Sequence, residues 1–143
     1  MGTPYSILYD GVLSKFKDYE LAQLTKDDIY SIISEYLRPA IVSFHICSQD
    51  LSDRDVVDLI NGGFNIDLSD SEITILVNYM TIDYIDSNFL KVPTLMKANL
   101  SSVDYNAFSP ANHIDKLTKM HENCLKENET LVVRYSISKL KKK

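Results

Sequence analysis

The chain has 143 residues, a hydrophobic content of 45% and a formal net charge of −5 at pH 7. This length predicts one domain with a sizeable core, and the composition excludes a chain that is disordered throughout. Because the first residues lack a basic run followed by an apolar run, we expect no signal peptide, and no apolar run is long enough to predict a membrane span. We expect Cys47 and Cys124 to be reduced thiols, since they lie far apart in a chain without an export signal.

Charge is distributed unevenly along the sequence. Residues 50–86 contain nine acids and one base, whereas residues 126–143 contain six bases and two acids. The part of the chain before Lys126 therefore has a net charge of about −9, and residues 126–143 have a net charge of about +4, which together give the total of −5. An acidic body disfavours sequence-specific DNA binding, which depends on phosphate neutralisation. The basic end is typical of a docking arm or of a solvated tail.

The first third of the chain predicts two helical segments joined by a connection at residues 18–24. Thr3-Pro4 resembles an N-cap followed by proline at the first helical position. Thr25 predicts the start of the second segment. Pro39 interrupts the apolar pattern of that segment and removes one helical hydrogen bond, so we expect either a kink near Tyr36 or two helices that meet there.

Residues 50–68 are the least regular part of the sequence. Residues 56–60 are rich in apolar side chains and predict one or two helical turns, which the Asn-Gly-Gly sequence at 61–63 ends. From residue 64 to residue 68, apolar and polar residues alternate. This alternation predicts a short extended segment that leads into the next helix.

The next helix is the predicted centre of the fold. Ser69 and Glu72 have the spacing of a capping box, and apolar residues then cover most of the circumference of a helix from Ile73 to Ile85. A helix that is apolar on so many sides must be surrounded by other elements. We therefore expect a mainly α fold, a small bundle of four to five helices around a central buried helix at about residues 70–86.

A long C-terminal helix is predicted after a less regular stretch. Leu95–Leu100 predicts a short helix, and residues 101–108 predict a loop. Ser109-Pro110 repeats the N-cap and proline signal. Beyond it, residues with alternating three- and four-residue spacing form a seam along one side of the predicted helix. Because some residues of the seam are polar, it is only a weak signal for a coiled coil. The seam contains Ile114, Leu117, His121, Cys124, Asn128, Leu131 and Tyr135.

From Val132 the pattern changes to the alternation of a strand. We therefore divide the chain into a helical domain at residues 1–130 and an extended C-terminal docking arm at residues 131–143. The arm is expected to add a strand to, or otherwise dock on, a partner rather than this domain, and the alternative is a helix end with a frayed tail. The predicted partner-binding residues are Leu131, Val133, Arg134, Tyr135, Ile137, Leu140, Lys141, Lys142 and Lys143.

The polar residues predict no catalytic, cofactor-binding or metal site. Counted from Asp50, the sixth and twelfth positions of a calcium loop are Asp55 and Asn61 instead of glycine and glutamate. The histidines and cysteines have no ligand or nucleophile spacing, and no glycine-rich phosphate loop is present. We therefore expect no enzyme. Nine tyrosines and five phenylalanines favour an interaction protein instead.

Four stretches together resemble a known family. They read TPY with YD at residues 3–5 and 9–10, QDLSDRD at 49–55, FNIDLSDSE at 64–72, and FSPANH at 108–113. In order and spacing they resemble the small head–tail connector proteins of tailed bacteriophages and prophages of Gram-positive bacteria. The resemblance extends from the N-terminus to about Leu117. This chain differs from the family pattern at residues 56–63, where it is longer, and after Thr130.

The resemblance implies a structural protein of the virion neck, an adaptor that docks on the portal and joins the capsid to the tail. Its implied partners are the portal protein, copies of itself in a ring that is commonly twelvefold, and stopper or tail proteins. Packaged DNA would pass close by, no membrane is involved, and before assembly the chain would reside in the host cytoplasm. An acidic body suits such a channel, because like charge prevents DNA from binding to the wall.

Two alternatives stay open at this point. The first is that the chain is a stopper or tail-terminator component of the same neck. A small cytoplasmic phage regulator that binds DNA or a host protein is the second alternative. A DNA-binding regulator requires a helix-turn-helix with exposed bases, and the last predicted helix offers only Lys116, Lys119 and Lys126.

Overall fold

A computed structural model describes residues 2–16, 26–87 and 110–141. These residues are mainly helical, as predicted, with one small antiparallel sheet of two short strands. The predicted short helix at Leu95–Leu100, the connection at 18–24 and the loop at 101–108 lie outside the described residues. The elements are β1 (Thr3–Pro4), α1 (Tyr5–Leu13), a 3-10 turn (Ser14–Phe16), α2 (Lys26–Ser34), α3 (Leu37–Ser43), β2 (Gly63–Phe64), α4 (Asp70–Ile85) and α5 (Pro110–Lys141).

Helix α4 is the predicted central helix, and its first turn has the predicted cap. The Ser69 hydroxyl accepts a hydrogen bond from Glu72 N, and Glu72 Oε1 accepts one from Ser69 N, so the capping box is complete. Ten of its sixteen residues are buried, on all sides of the helix. Helices α1, α3 and α5 pack around it, which is the arrangement that its apolar circumference predicted.

Helix α1 begins one residue later than predicted. Thr3 forms a strand pair with Phe64, and its side chain donates to Ile66 O and accepts from Leu68 N. The predicted N-cap role of Thr3 is therefore wrong, because its hydroxyl is used to hold the segment before α4. Pro4 is the N-cap instead.

Pro39 has the predicted effect on the second helical segment. Helix α2 ends at Ser34, a turn follows at residues 35–36, and α3 begins at Leu37. Pro39 thus occupies the first turn of a new helix, where its missing N–H costs little. The two-helix form of the prediction is confirmed.

The contacts of α4 fix the direction of its neighbours. Thr3 contacts Leu68 before α4 and Gly11 lies against Val77, so α1 runs parallel to α4. Helix α3 runs antiparallel, since the ring of Tyr36 contacts Tyr84 while Cys47 reaches Glu72. Helix α5 is also antiparallel: Tyr135 contacts Glu72, and Cys124 lines a shallow depression with Lys15, which follows α1.

The prediction that the C-terminal arm is extended is wrong. Helix α5 runs without a break from Pro110 to Lys141 and crosses the predicted boundary at residues 130–131. A helix that is already formed gains one hydrogen bond for each residue added, whereas an isolated strand has an unpaired backbone. The seam from His121 to Tyr135 also continues across Val132 in helical spacing, so both patterns coexist in this sequence and the helix forms.

The predicted helical turns at residues 56–60 are wrong. Residues 50–62 form a loop of short turns in which aspartate side chains bind backbone N–H groups. Aspartate competes effectively with helical hydrogen bonds in this way, since its carboxylate replaces a backbone acceptor. The extended segment after the loop is confirmed at β2, where Gly63 and Phe64 pair with β1.

Candidate functional site

The carboxylate of Glu72, which is only 1% exposed, accepts four hydrogen bonds. Its Oε1 accepts from Ser69 N at 2.8 Å and from Gln49 Nε2 at 2.7 Å. Its Oε2 accepts from the Tyr135 hydroxyl at 2.7 Å and from Cys47 Sγ at 3.5 Å. Each oxygen therefore has two donors, which is what a buried carboxylate needs in order to stay ionised.

The electrostatics of this junction follow from burial and hydrogen bonding. Burial raises the pKa of Glu72, but the donors from Ser69, Tyr135, Gln49 and Cys47 outweigh it and hold the pKa below its usual value. Burial, together with the hydrogen bond to the Glu72 carboxylate, raises the pKa of Tyr135 to about 12. At neutral pH the junction thus consists of a carboxylate and neutral donors.

The Glu72 junction joins three parts of the chain that are distant in sequence. Cys47, Ser48 and Gln49 belong to the loop after α3, Glu72 to the first turn of α4, and Tyr135 to α5. Ser48 N donates to the Tyr135 hydroxyl at 2.8 Å, and the ring of Phe44 meets that of Tyr135 edge-on at 5.2 Å. The junction therefore fixes α5 on the body of the domain.

Three of the four stretches that resemble phage connectors come together beside this junction. Thr3 and Pro4 pair with Phe64 and Gly63 in the sheet, and the Tyr5 hydroxyl donates to Asp55 O. Gln49 Nε2 also donates to Asp67 O at 2.8 Å. The stretches at 3–5, 49–55 and 64–72 thus form one contiguous unit around the start of α4. Most of the fourth, at 108–113, lies outside the described residues or has side chains that are not described.

The loop at residues 50–61 presents an apolar tip within an acidic surround, and we call it the acidic loop. Asp55 Oδ1 accepts from Val57 N and Asp58 N, and Asp58 Oδ1 accepts from Ile60 N and Asn61 N. These backbone donors hold the pKa of Asp55 below its usual value. Val57 is 91% exposed, and Val56 is exposed beside it. The acidic loop is therefore held in its conformation by its own aspartates.

The structure divides the predicted partner-binding residues into two groups. Tyr135 is buried at 5% exposure within this domain and Leu131 is half-buried against it, so the expectation that these two leave the domain is wrong. Val133 and Ile137 are exposed on the opposite side of α5, with Arg134 beside them. We call these three residues the outer face of α5. The side chains of Leu140, Lys141, Lys142 and Lys143 lie outside the described set.

Comparison with known proteins assigns no family to this arrangement. No family model, curated protein or solved structure matches the chain. Function is therefore inferred from the residues, from their geometry and from the resemblance of the four stretches.

Two buried asparagines were missed as special positions by sequence reasoning. Asn78 on α4 and Asn128 on α5 are buried, and within the described part of the chain their side-chain amides have no hydrogen-bond partner. A buried amide without a partner destabilises a fold, because its hydration is lost and not replaced. For Asn128 the available signal was its place in the apolar seam. Asn78 offers no such signal, because it is one of the few polar residues of α4 and no apolar spacing pattern includes it.

Among residues 2–16, 26–87 and 110–141, no group of three or more histidine, cysteine or acidic side chains is placed to hold a metal ion. In the same ranges, every helix is too short or too polar to cross a membrane.

Proposed function

We propose that this chain is a structural subunit of the neck of a tailed bacteriophage. In this role it is a head–tail connector that forms a ring on the portal vertex and joins the capsid to the tail around the DNA channel. The observation that carries the proposal is the contact between three of the four resembling stretches, at residues 3–5, 49–55 and 64–72.

The contact matters because short stretches dispersed in a sequence can resemble a family by coincidence. Stretches that hydrogen-bond to one another specify one piece of three-dimensional structure. Here Thr3 is tied to Ile66 and Leu68, and Gln49 is tied to Asp67, by side-chain hydrogen bonds across 18 to 65 positions of the chain. The resemblance thus falls on a structural unit, which supports a structural family.

Charge and shape fit the proposed role. The part of the chain before Lys126 has a net charge of about −9. A negatively charged channel wall does not neutralise DNA phosphates, so DNA passes without binding to it. The helical body has a long helix, α5, of 32 residues, or about 48 Å. Exposed apolar side chains such as Ile7 and Val57 offer area for contacts between subunits.

The proposed partners are the portal protein, copies of this chain in a ring, and the stopper or tail proteins on the other side. We place the basic C-terminal residues 140–143 against the portal, since they follow in sequence the part of α5 that is fixed on the body through Tyr135. They would reach the head only during assembly, when the chain moves from the host cytoplasm to the virion neck.

The experiment is a co-purification of the tagged chain with the portal protein from the same phage or prophage genome, followed by cryo-EM of the complex. We expect a ring on the portal. If the full chain does not bind the portal, the neck function is wrong. A mobility shift of random DNA that disappears with added salt would instead favour the regulator.

A truncated chain tests the C-terminal residues separately. Deletion of residues 140–143 spares Tyr135 and the Glu72 junction, so we expect an unchanged melting temperature and weaker binding to the portal. The matched control is Val42→Ser, which removes an exposed apolar side chain on α3 and should leave portal binding unchanged. Normal portal binding by the truncated chain would contradict the role of its last residues and leave the connector function standing.

A further inference from the structure

We propose that the acidic loop of one copy docks on the outer face of α5 of the next copy. The closure of this contact into a ring rests on the proposed function. The contact itself can be measured with the purified chain, without a portal. It commits to one occupant for both surfaces, a second copy of this chain.

The acidic loop has the properties of a preformed docking element. Val57, at its tip, is the most exposed large apolar side chain among the described residues. The backbone on both sides of the tip is held by Asp55 and Asp58 through four hydrogen bonds. A tip that is already ordered loses little conformational entropy when it binds.

The outer face of α5 is complementary to this tip in polarity. Val133 is 57% exposed and Ile137 is 46% exposed, and the two are one helical turn apart. Arg134 is exposed next to them. Together they form an apolar strip with a cation at its side, on the face of the helix opposite to Tyr135.

Charge selects these two surfaces as partners. The acidic loop contains four aspartates, and its single base, Arg54, is turned inward, where Nη1 donates to the Tyr5 hydroxyl at 3.2 Å. On the outer face the charged residue is Arg134, and from Thr130 onward the sequence has no acid. Opposite charges of this kind orient two surfaces and exclude the pairing of either with itself.

In the structure of one copy, the acidic loop and the outer face of α5 do not contact each other. The acidic loop is held on α1 by the Tyr5 and Tyr9 hydroxyls, whereas α5 is held on α4 through Tyr135. In the structure both Val57 and Val133 are exposed. A contact between unlike surfaces of successive copies either closes into a ring or continues as a filament, and a connector requires the ring.

The contact is expected to be weak in solution. Exposed charge pairs contribute little and the apolar area is small. Sequential binding to a portal would raise the effective concentration of neighbouring copies, which converts a weak contact into a closed ring. Trapping of transient contacts is therefore the suitable measurement.

The trap is a disulfide between two separately purified variants, Val57→Cys and Ile137→Cys, of which one carries a tag. Both positions are exposed, so neither change affects the core, and the chain's own Cys124 is buried while Cys47 is half-buried. The matched control pairs Ile137→Cys with Val42→Cys on α3, which is 68% exposed. We expect the Val57–Ile137 mixed dimer to form at least about tenfold faster than the control dimer, because docking would hold the two thiols together at a raised effective concentration. Equal rates would overturn the proposal.

Charge reversal then tests the orientation of the contact within the same trap. Asp53→Arg in the loop and Arg134→Glu on the outer face should each slow the Val57–Ile137 disulfide by about fivefold, the equivalent of one exposed charge pair. When both reversals are present, the rate should return to within about twofold of the original. Failure of the combined reversal to restore the rate would overturn the pairing of these surfaces. Restored trapping with no portal binding would instead contradict only the neck function.

Discussion

The Tyr135 hydroxyl donates a 2.7 Å hydrogen bond to Glu72 Oε2, and this bond attaches the long C-terminal helix to the first turn of α4. The same carboxylate closes the capping box of α4 through Ser69 N. One side chain thus stabilises a helix start and a helix–helix contact together. Removal of either partner should therefore affect both.

Tyr135→Phe keeps the ring that packs on Phe44 and removes the hydroxyl. Glu72 loses one of its four donors and Ser48 N loses its acceptor. We expect the free energy of unfolding to fall by about 1–3 kcal/mol, the usual cost of an unpaired buried polar group. Urea denaturation monitored by circular dichroism measures it.

Val133→Ala is the matched control for this substitution, two residues away on the exposed side of α5. It should change the free energy of unfolding by less than about 0.5 kcal/mol. If Tyr135→Phe also falls within that range, the hydroxyl contributes nothing to the attachment of α5.

Stability should depend on pH through Glu72. Its pKa in the folded protein lies below the ordinary value of 4.5, so folding favours the carboxylate. The resulting stabilisation is fully present above pH 4.5 and is lost as the pH falls through the lower folded value. The difference in unfolding free energy between the natural chain and Glu72→Gln should therefore shrink from pH 7 to pH 3. Asp50 and Asp55, whose pKa values are also lowered, affect both chains equally. A constant difference would contradict the assignment.

The central helix could be predicted because its signals are local. The capping box is two residues at fixed spacing, and the apolar circumference is a property of sixteen consecutive positions. The break at Pro39 was predictable for the same reason, since proline acts on its own turn. Local signals thus gave the helices of the body and their mainly α class.

The end of the chain shows where local patterns conflict. Val133, Tyr135 and Ile137 alternate as in a strand, while Leu131 and Tyr135 continue the helical seam from Cys124. What decides between them is the preceding helix, which propagates at low cost. Val133 and Ile137 remain exposed on the helix. The alternating pattern therefore corresponds to an exposed apolar surface of a helix and not to a strand.

The Glu72 junction could not have been predicted from the sequence. Cys47, Gln49 and Tyr135 reach Glu72 across 25, 23 and 63 positions of the chain. No spacing rule connects such positions, because their proximity follows from how α3 and α5 pack on α4. The capping box did single out Glu72, but only as the partner of Ser69.

Asn128→Leu should stabilise the protein. Among the described residues no group pairs with the Asn128 amide, which is buried in the seam of α5. Leucine removes the unpaired polar atoms at similar volume, so we expect the free energy of unfolding to rise by about 1–2 kcal/mol. The exposed neighbour Asn123 provides the control, since Asn123→Leu should have little effect. A loss of stability in Asn128→Leu would mean that the amide does have a partner in solution, such as an internal water molecule.

Gly11 is a further residue at which two physical effects compete. It lies within α1, where alanine would be preferred by about 1 kcal/mol. However, a Cβ at this position would lie 2.8 Å from Val77 Cγ2 and 3.3 Å from Val77 Cγ1. Val77 is buried and β-branched, so its side chain cannot rotate away at low cost.

We therefore expect Gly11→Ala to lower the free energy of unfolding by about 1–2 kcal/mol, because the steric cost of overpacking exceeds the gain in helix propensity. In the Val77→Ala background the contact is absent, and the same substitution should become stabilising by up to about 1 kcal/mol. Denaturation of the four chains gives the coupling energy directly. If Gly11→Ala stabilises the natural chain, α1 can move away from α4 without cost, and the close approach of these two helices is not what requires glycine.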